Sequence, residues 1–186
     1  MPGPSRIEGF AIISADGMIA DAAGQMPDAL KFAPDQEFFH AGLERAAAVV
    51  HGRNSHEGGP QAASRRRLIV TRRVPALAPA PTDPGALLWN PAGASLAQAW
   101  SALGAADGIL AVIGGTDVYS LFWSPGYDAF HLTRAAQVRL PGGRPVFREL
   151  TGDRSPEEVL ASHGLHPTEP RVLDAAAGVT LVTWLR

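Results

Sequence analysis

The fold is decided by the stretch Ile109-Leu110-Ala111-Val112-Ile113-Gly114-Gly115-Thr116-Asp117-Val118-Tyr119. Five apolar residues run into two glycines and then into a helical pattern, which predicts a buried strand, a turn and a helix. Because glycine has no Cβ atom, such a turn lets backbone N–H groups and the helix start approach a phosphate closely. The alternative is a tight turn that binds nothing. The G-x-G-x-x-G fingerprint is absent, so a Rossmann fold is not indicated.

Outward from this stretch, short apolar runs alternate with helical patterns, which is typical of an α/β domain. Strands are predicted at residues 7–14, 47–51, 68–71, 87–89, 109–113, 129–134, 172–173 and 179–185. Helices are predicted at residues 35–46, 95–103 and 116–123, and a fourth is predicted to begin with a capping box at residues 155–158. The proline-rich stretch 74–85 is predicted to be a surface connection. With no repeat and no linker, we expect one domain, residues 1–186.

Composition narrows the classes of function. The chain is 46% hydrophobic and 18% charged, with a net charge of −2, which is typical of a globular protein without a general attraction for nucleic acid or membranes. It has no cysteine, and its six histidines show no metal-ligand spacing, so no metal site is predicted. Residues 1–13 do not resemble a signal peptide, and no apolar run reaches the roughly 20 residues that span a bilayer. We expect a cytoplasmic protein that binds a small molecule.

A second strand-to-glycine junction lies at Val50-His51-Gly52-Arg53-Asn54-Ser55. Polar residues follow the glycine at a position where a helix is predicted to begin. A guanidinium and a hydroxyl there suit an anion. Solvated side chains at a helix start are the alternative.

The third segment places five arginines, at positions 65, 66, 67, 72 and 73, around a short apolar strand. A nucleic-acid surface normally interleaves aromatic residues in a clearly basic domain, and neither feature is present. A single phosphate group is a better-sized target. The alternative is a core strand flanked by solvated charges.

In their order along the chain, these segments resemble the dihydrofolate reductase superfamily, which includes the folate enzyme and the reductase domain of riboflavin biosynthesis. The likeness runs from Phe10 through Phe147 and includes Leu132-Thr133. It implies a three-layer α/β fold with a mixed, mostly parallel central sheet flanked by helices. It also implies NADPH as the cofactor.

The resemblance implies a role for each matching position. One loop would hold the pyrophosphate and adenosine side of NADPH: Gly52, Arg53, Asn54 and Ser55. The strand end would receive the 2′-phosphate: Thr71, Arg72 and Arg73. The second phosphate turn would comprise Ile113, Gly114, Gly115, Thr116, Asp117 and Val118. Tyr119 would lie beside the nicotinamide, which Ile19 would also contact.

On the substrate side, the resemblance implies that Asp35 binds a pterin-like ring and assists its protonation, with Thr133 supporting the acid. Burial beside Phe38 and Phe39 would raise the carboxyl pKa, which suits proton transfer. Asp35 as a mere helix cap, or Glu37 as the working acid, are the alternatives. The same likeness assigns Ala11, Ile12, Phe38, Phe39 and Arg65 to the substrate pocket.

The sequence differs from the folate reductases at two places that bear on the substrate. The Pro-Leu-Pro-Gly-Arg stretch of folate reductases is replaced by Gly59-Pro60-Gln61-Ala62-Ala63-Ser64-Arg65, and Asp16-Gly17 is similar to the riboflavin-type branch. Reduction of a ribosylaminopyrimidine is therefore an alternative, with Arg65, Arg66 or Arg67 binding its phosphate. A non-catalytic NADP-binding module is the alternative of another class. Riboflavin-type relatives also imply a homodimer.

Overall fold

The computed structural model describes residues 3–55 and 61–186. Its strands are β1 (Arg6–Ser14), β2 (Met18–Ala20), β3 (Ala46–Gly52), β4 (Arg67–Val70), β5 (Leu77–Pro79), β6 (Ala86–Trp89), β7 (Ile109–Val112), β8 (Ala129–Ala135), β9 (Arg144–Pro145), β10 (His166–Pro167), β11 (Arg171–Asp174) and β12 (Val179–Leu185). Its α-helices are α1 (Ala33–Arg45), α2 (Leu96–Leu103), α3 (Thr116–Leu121) and α4 (Pro156–Ser162).

Ten of these strands form one mixed sheet in the order β10-β12-β8-β1-β7-β3-β4-β6-β5, with β11 beside β12. The pairs from β8 through β6 are parallel, and those that involve β5, β10, β11 and β12 are antiparallel. Strands β2 and β9 form a small separate ladder. Because β1, β3, β4 and β7 are parallel, their carboxyl ends share one edge of the sheet, where α/β proteins bind ligands.

Helices cover both faces of the sheet. Helix α1 lies on one face, where Leu43 packs with Phe10, Val49 and Ala111. On the other face, α2, α3 and α4 contribute to the main core with Ile13, Leu110 and Val112. This arrangement confirms the predicted three-layer fold.

Local signals set several helix ends. The Ser95 and Ser155 side chains each accept a hydrogen bond from the backbone N–H three residues on. The side chains of Gln98 and Glu158 in turn accept from the backbone N–H of the serine, so both helices begin with a capping box. The box at Ser155 was predicted in full, and Ser95 was predicted as a cap. No helix in the described part of the chain has the length and apolar character needed to cross a membrane.

Two local predictions were wrong. The stretch 74–85 is not only a connection, because it contains β5, which pairs antiparallel with β6. Pro79 is tolerated there because β5 is an edge strand, where a missing N–H group need not break the ladder. No helix begins at residues 53–55; the N–H of Ser55 instead donates to the carbonyl of Gly52 and closes a turn.

Candidate active site

A crevice opens where β1 and β7 separate at the carboxyl edge of the sheet. The pairing of β1 with β7 stops at Gly9 and Val112, whereas its pairing with β8 continues to Ser14. The chain beyond β7 turns away into Gly114 and Gly115. Part of β1, which includes Ala11, therefore lacks a strand neighbour on one side.

The loops after β3 and β7 meet on one side of this crevice. The N–H of Gly52 donates a 2.8 Å hydrogen bond to the carbonyl of Gly114, and the N–H of Ile113 donates to Val50. The Gly114–Gly115 peptide bond is cis, and Gly114 has a φ of 116°. The two predicted phosphate loops are therefore one continuous backbone surface.

The glycines leave this surface open. A Cβ atom built on Gly115 would lie 3.7 Å from Oγ of Ser55 and 3.9 Å from Cδ1 of Ile19. A Cβ built on Gly52 would lie 3.5 Å from the Val118 side chain and 3.7 Å from the Gly115 nitrogen. Side chains at either glycine would occupy the space between the loops, so the backbone here fits a dinucleotide phosphate.

Exposed arginines line the outer rim of this surface. Arg53 and Asn54 lie exposed in the turn after β3, and Arg72 and Arg73 lie exposed beyond β4. The Thr71 hydroxyl accepts a 3.2 Å hydrogen bond from the Arg73 N–H, which shapes the strand end.

On the α1 side of the crevice, Asp35 meets Thr133. Asp35 lies in the first turn of α1, but Phe32 occupies the cap position, so the capping alternative was wrong. Burial raises the pKa of the Asp35 carboxyl, and the hydrogen bond from Thr133 partly offsets that rise. Glu37 lies one residue beyond Gln36 and is exposed. Of the two acids, Asp35 alone has a buried polar partner among the described residues.

Tyr119 links the two sides. Its hydroxyl donates to the carbonyl of Phe10, on the stretch of β1 that lacks a strand neighbour. Burial, and then the charge of Asp35, raise the pKa of Tyr119 far above the usual value. The phenol therefore stays protonated and acts as a hydrogen-bond donor, and the charge of Asp35 is felt in this part of the crevice.

Aromatic side chains form the apolar wall. The Phe10 ring lies 6.2 Å from both the Phe38 and Phe39 rings, and Ile113 packs against the same cluster. Ile12, by contrast, is buried with Leu30. Phe38 and Phe39 lie three and four residues beyond Asp35 on α1 and so share its side of the helix. Phe10 joins them in the apolar wall, although the sequence pattern did not single it out as a pocket residue.

By sequence alone, the chain matches no protein-family profile and no curated protein. Solved structures resemble it closely in three dimensions. Dihydrofolate reductase from Enterococcus faecalis, complexed with NADP(H), shares 17% identity and a TM-score of 0.63 over 97% of this chain and 96% of its own. The chain has the dihydrofolate reductase fold.

Riboflavin-type structures share this dihydrofolate reductase fold. A Shewanella sp. PV-4 protein whose name places it in riboflavin biosynthesis has a TM-score of 0.66 at 21% identity, over 97% of this chain and 98% of its own. A Thermotoga maritima diaminohydroxyphosphoribosylaminopyrimidine deaminase and 5-amino-6-(5-phosphoribosylamino)uracil reductase has a TM-score of 0.63 at 18% identity. That match covers 98% of this chain but 56% of the Thermotoga chain. The predicted resemblance is confirmed at the level of the fold.

Within this dihydrofolate-reductase-like fold, Arg65 lies apart from the acid. It lines a groove of about 240 Å³ with Leu43 and Glu44, at the carboxyl-terminal end of α1. Arg45 lies ten positions beyond Asp35 on this helix, a rise of about 15 Å. Gly59 and Pro60, which precede Arg65 in the altered folate motif, lie outside the described residues.

The neighbouring arginines have other partners. Nη1 of Arg66 donates a 2.6 Å hydrogen bond to the Leu103 carbonyl at the end of α2. Nε of Arg67 lies 3.8 Å from Oδ2 of Asp83. Both contacts tie the strand to its surroundings, and Arg66 lines the same groove as Arg65. No three His, Asp or Glu side chains within residues 3–55 and 61–186 come together as metal ligands.

Proposed function

We propose that this protein is an NADPH-dependent reductase that acts on a pterin-like heterocycle. The observation that carries the proposal is the crevice between β1 and β7. One side offers an open glycine backbone, and the other holds a half-buried carboxyl beside Thr133. A dinucleotide and a flat ring bound on these two sides would meet between them.

The cofactor half of the proposal rests on the joined loops. Backbone N–H groups around Gly52 and Gly115 would bind the pyrophosphate, and the Ser55 hydroxyl adds a donor. Arg72 and Arg73, exposed beyond β4, would bind a 2′-phosphate, which favours NADPH over NADH. NADPH, when bound, supplies the hydride.

Asp35 would orient the substrate and supply the proton. A carboxyl whose pKa is raised by burial retains its proton closer to neutral pH than an ordinary aspartate does, which suits a general acid. Thr133 orients the carboxyl, and the rings of Phe38 and Phe39 limit water around it. Tyr119 secures the unpaired edge of β1 through Phe10, so the floor of the crevice stays in place.

A ribosylaminopyrimidine is the second candidate substrate. Of the structural neighbours described above, one is named for riboflavin biosynthesis and another as a 5-amino-6-(5-phosphoribosylamino)uracil reductase. Arg65 would suit an anionic tail of either substrate class, because a glutamate carboxylate and a phosphate both match a guanidinium. Asp35 and the glycine loops would have the same roles with a pterin-like ring and with a ribosylaminopyrimidine.

The test follows NADPH absorbance with dihydrofolate, a dihydropterin and a ribosylaminopyrimidine, using wild type and Asp35→Asn. We expect turnover with one class and a loss of at least about 100-fold in kcat in the variant, the usual contribution of general acid catalysis. NADPH binding should be retained in both proteins.

Three outcomes would contradict parts of the proposal. Tight NADPH binding without turnover of any substrate would favour a non-catalytic NADP-binding module. Turnover that is unchanged in Asp35→Asn would overturn the role of the acid. A wild-type protein that binds neither NADPH nor NADP⁺ would overturn the proposal as a whole.

A further inference from the structure

Arg148 lies outside the motifs that defined the crevice, yet its side chain reaches the cofactor side. Its Nε atom lies 2.6 Å from Oδ1 of Asp117, in the first turn of α3. That hydrogen bond holds the pKa of the Asp117 carboxyl below its usual value, and the charge of Arg72 lowers it further. Two guanidinium groups from distant parts of the chain therefore act on one carboxylate.

The backbone that carries Arg148 is anchored to the same turn. The Arg148 N–H donates a 3.1 Å hydrogen bond to Oγ of Ser120, on α3. The Thr116 hydroxyl donates to the carbonyl of Pro145, three residues earlier on the same segment. The N–H of Val146 donates to Gly17. The origin of the side chain is thus set relative to the Gly114–Gly115 turn.

The side chains themselves remain exposed. Those of Arg148 and Asp117 are 62% and 68% accessible. An ion pair in such a position contributes little to stability, because water screens it well. Folding therefore does not require the pair, and its guanidinium can exchange the carboxylate for another anion.

The charges on this rim favour an anion. Arg53, Arg72, Arg73 and Arg148 carry four positive charges, and Asp117 and Glu149 carry two negative charges. The sum is +2 in a protein whose net charge is −2. A guanidinium presents parallel N–H groups that match two oxygens of a phosphate. The excess lies beside the glycine loops, where the proposed cofactor would place its phosphates.

We propose that Arg148 is a further cofactor-binding residue that contacts the pyrophosphate of the dinucleotide. Asp117 is the competing anion: its carboxylate pairs with the guanidinium until the pyrophosphate replaces it. The pyrophosphate is the target because Arg148 is anchored to α3, whereas Arg72 and Arg73 lie at the end of β4. This inference rests on the proposed NADPH function.

Two variants separate a binding role from a structural one. Arg148→Ala and Asp117→Asn break the same ion pair, so a purely structural role would move cofactor affinity in the same direction in both. A binding role predicts opposite signs. We expect Arg148→Ala to raise the Kd for NADPH and for NADH by the same factor, about tenfold. Asp117→Asn should lower both values, because it removes a negative charge beside the phosphates.

The measurement is titration calorimetry with NADPH and NADH at low ionic strength. Arg171→Ala, an exposed arginine on β11 at the opposite side of the sheet, controls for the change in net charge. An Arg148→Ala protein that binds as the Arg171→Ala protein does would overturn the inference. Equal signs in the two pair variants would overturn it too. A loss restricted to NADPH would place the contact at the 2′-phosphate and overturn the pyrophosphate assignment.

Failure of this inference is distinguishable from failure of the proposed function. If wild type binds NADPH and Arg72→Ala weakens that binding, the proposed function stands whatever Arg148→Ala does. If wild type binds no nicotinamide nucleotide, the proposed function and the inference about Arg148 are both wrong. Melting temperatures of the pair variants should match wild type, since both side chains are exposed.

Discussion

The N–H of Gly52 donates a hydrogen bond to the carbonyl of Gly114, and this 2.8 Å contact joins the ends of two parallel strands. Each loop alone is a short turn with a glycine. Together they present backbone N–H groups on one surface, with Arg72 at one side and Asp35 across the crevice. This junction is the structural basis for placing a dinucleotide phosphate at this edge.

Gly52→Ala tests the junction directly. The added methyl group would lie 3.5 Å from Val118 and 3.7 Å from the Gly115 nitrogen, which are ordinary contact distances, so folding should be preserved. The methyl group would cover the backbone that the pyrophosphate needs. We expect a melting temperature near that of wild type and a Kd for NADPH raised by at least about tenfold. Gly3→Ala, with no atom within 4 Å of the new Cβ, is the control.

Thr133→Val should move the pH dependence of turnover. The Thr133 hydroxyl stabilises the charged form of Asp35, so its loss raises the pKa of that carboxyl further. Turnover that needs the protonated acid should then persist to higher pH, and the alkaline limb of the kcat profile should shift upward. The nearby Thr183→Val, on β12, is a matched control. An unmoved alkaline limb in Thr133→Val would show that this hydroxyl does not act on the working acid.

Asp35→Asn should stabilise the fold while it lowers activity. The pKa of Asp35 is raised above its unfolded value, so its contribution to stability is fully present below the unfolded pKa and is lost as pH rises through the folded pKa. At neutral pH the burial of an ionised carboxylate lowers the free energy of unfolding, and asparagine has no charge to bury. Urea unfolding should show a gain for the variant at pH 7 that shrinks toward pH 4. A gain that is independent of pH would contradict this account.

Glu8→Gln should weaken the protein at neutral pH and flatten its response to acid. Glu8 is buried, with Oε2 lying 3.4 Å from Nε2 of His131 and Oε1 lying 3.2 Å from Nε of Arg6. The hydrogen bond to His131 leads the contributions that lower the pKa of Glu8. Its stabilisation is therefore present above the unfolded pKa and lost as pH falls through the folded pKa.

The expected loss for Glu8→Gln at pH 7 is about 1–3 kcal/mol, the cost of disturbing a buried charged hydrogen bond. Thermal unfolding from pH 7 to pH 3 provides the measurement. The difference between variant and wild type should close as the pH falls. Glu44→Gln, an exposed acid on α1, should follow the wild-type curve throughout. Parallel curves for wild type and Glu8→Gln would contradict the prediction.

Much of the candidate site was predictable because its signals are local. The glycine pair after β7 and the glycine after β3 were each visible as the end of an apolar run. Asp35 was visible as an acid in the first turn of a helix that carries two phenylalanines. Less was predictable for Arg65, because its distance from the acid depends on the length and direction of α1 rather than on neighbouring residues.

The sequence by itself determined where most of the longer strands and helices lie along the chain. It also located the caps at Ser95 and Ser155, because glycine, proline, capping and periodicity act over a few residues. Tertiary structure alone decided which of these segments meet. The Tyr119 hydroxyl reaches Phe10 across 109 residues of chain, and Arg148 reaches Asp117 across 31. Such contacts depend on the strand order β8-β1-β7-β3-β4, which is chosen by the burial of whole faces. This strand order brings together the loops after β3 and β7, which the sequence suggested only separately as anion sites.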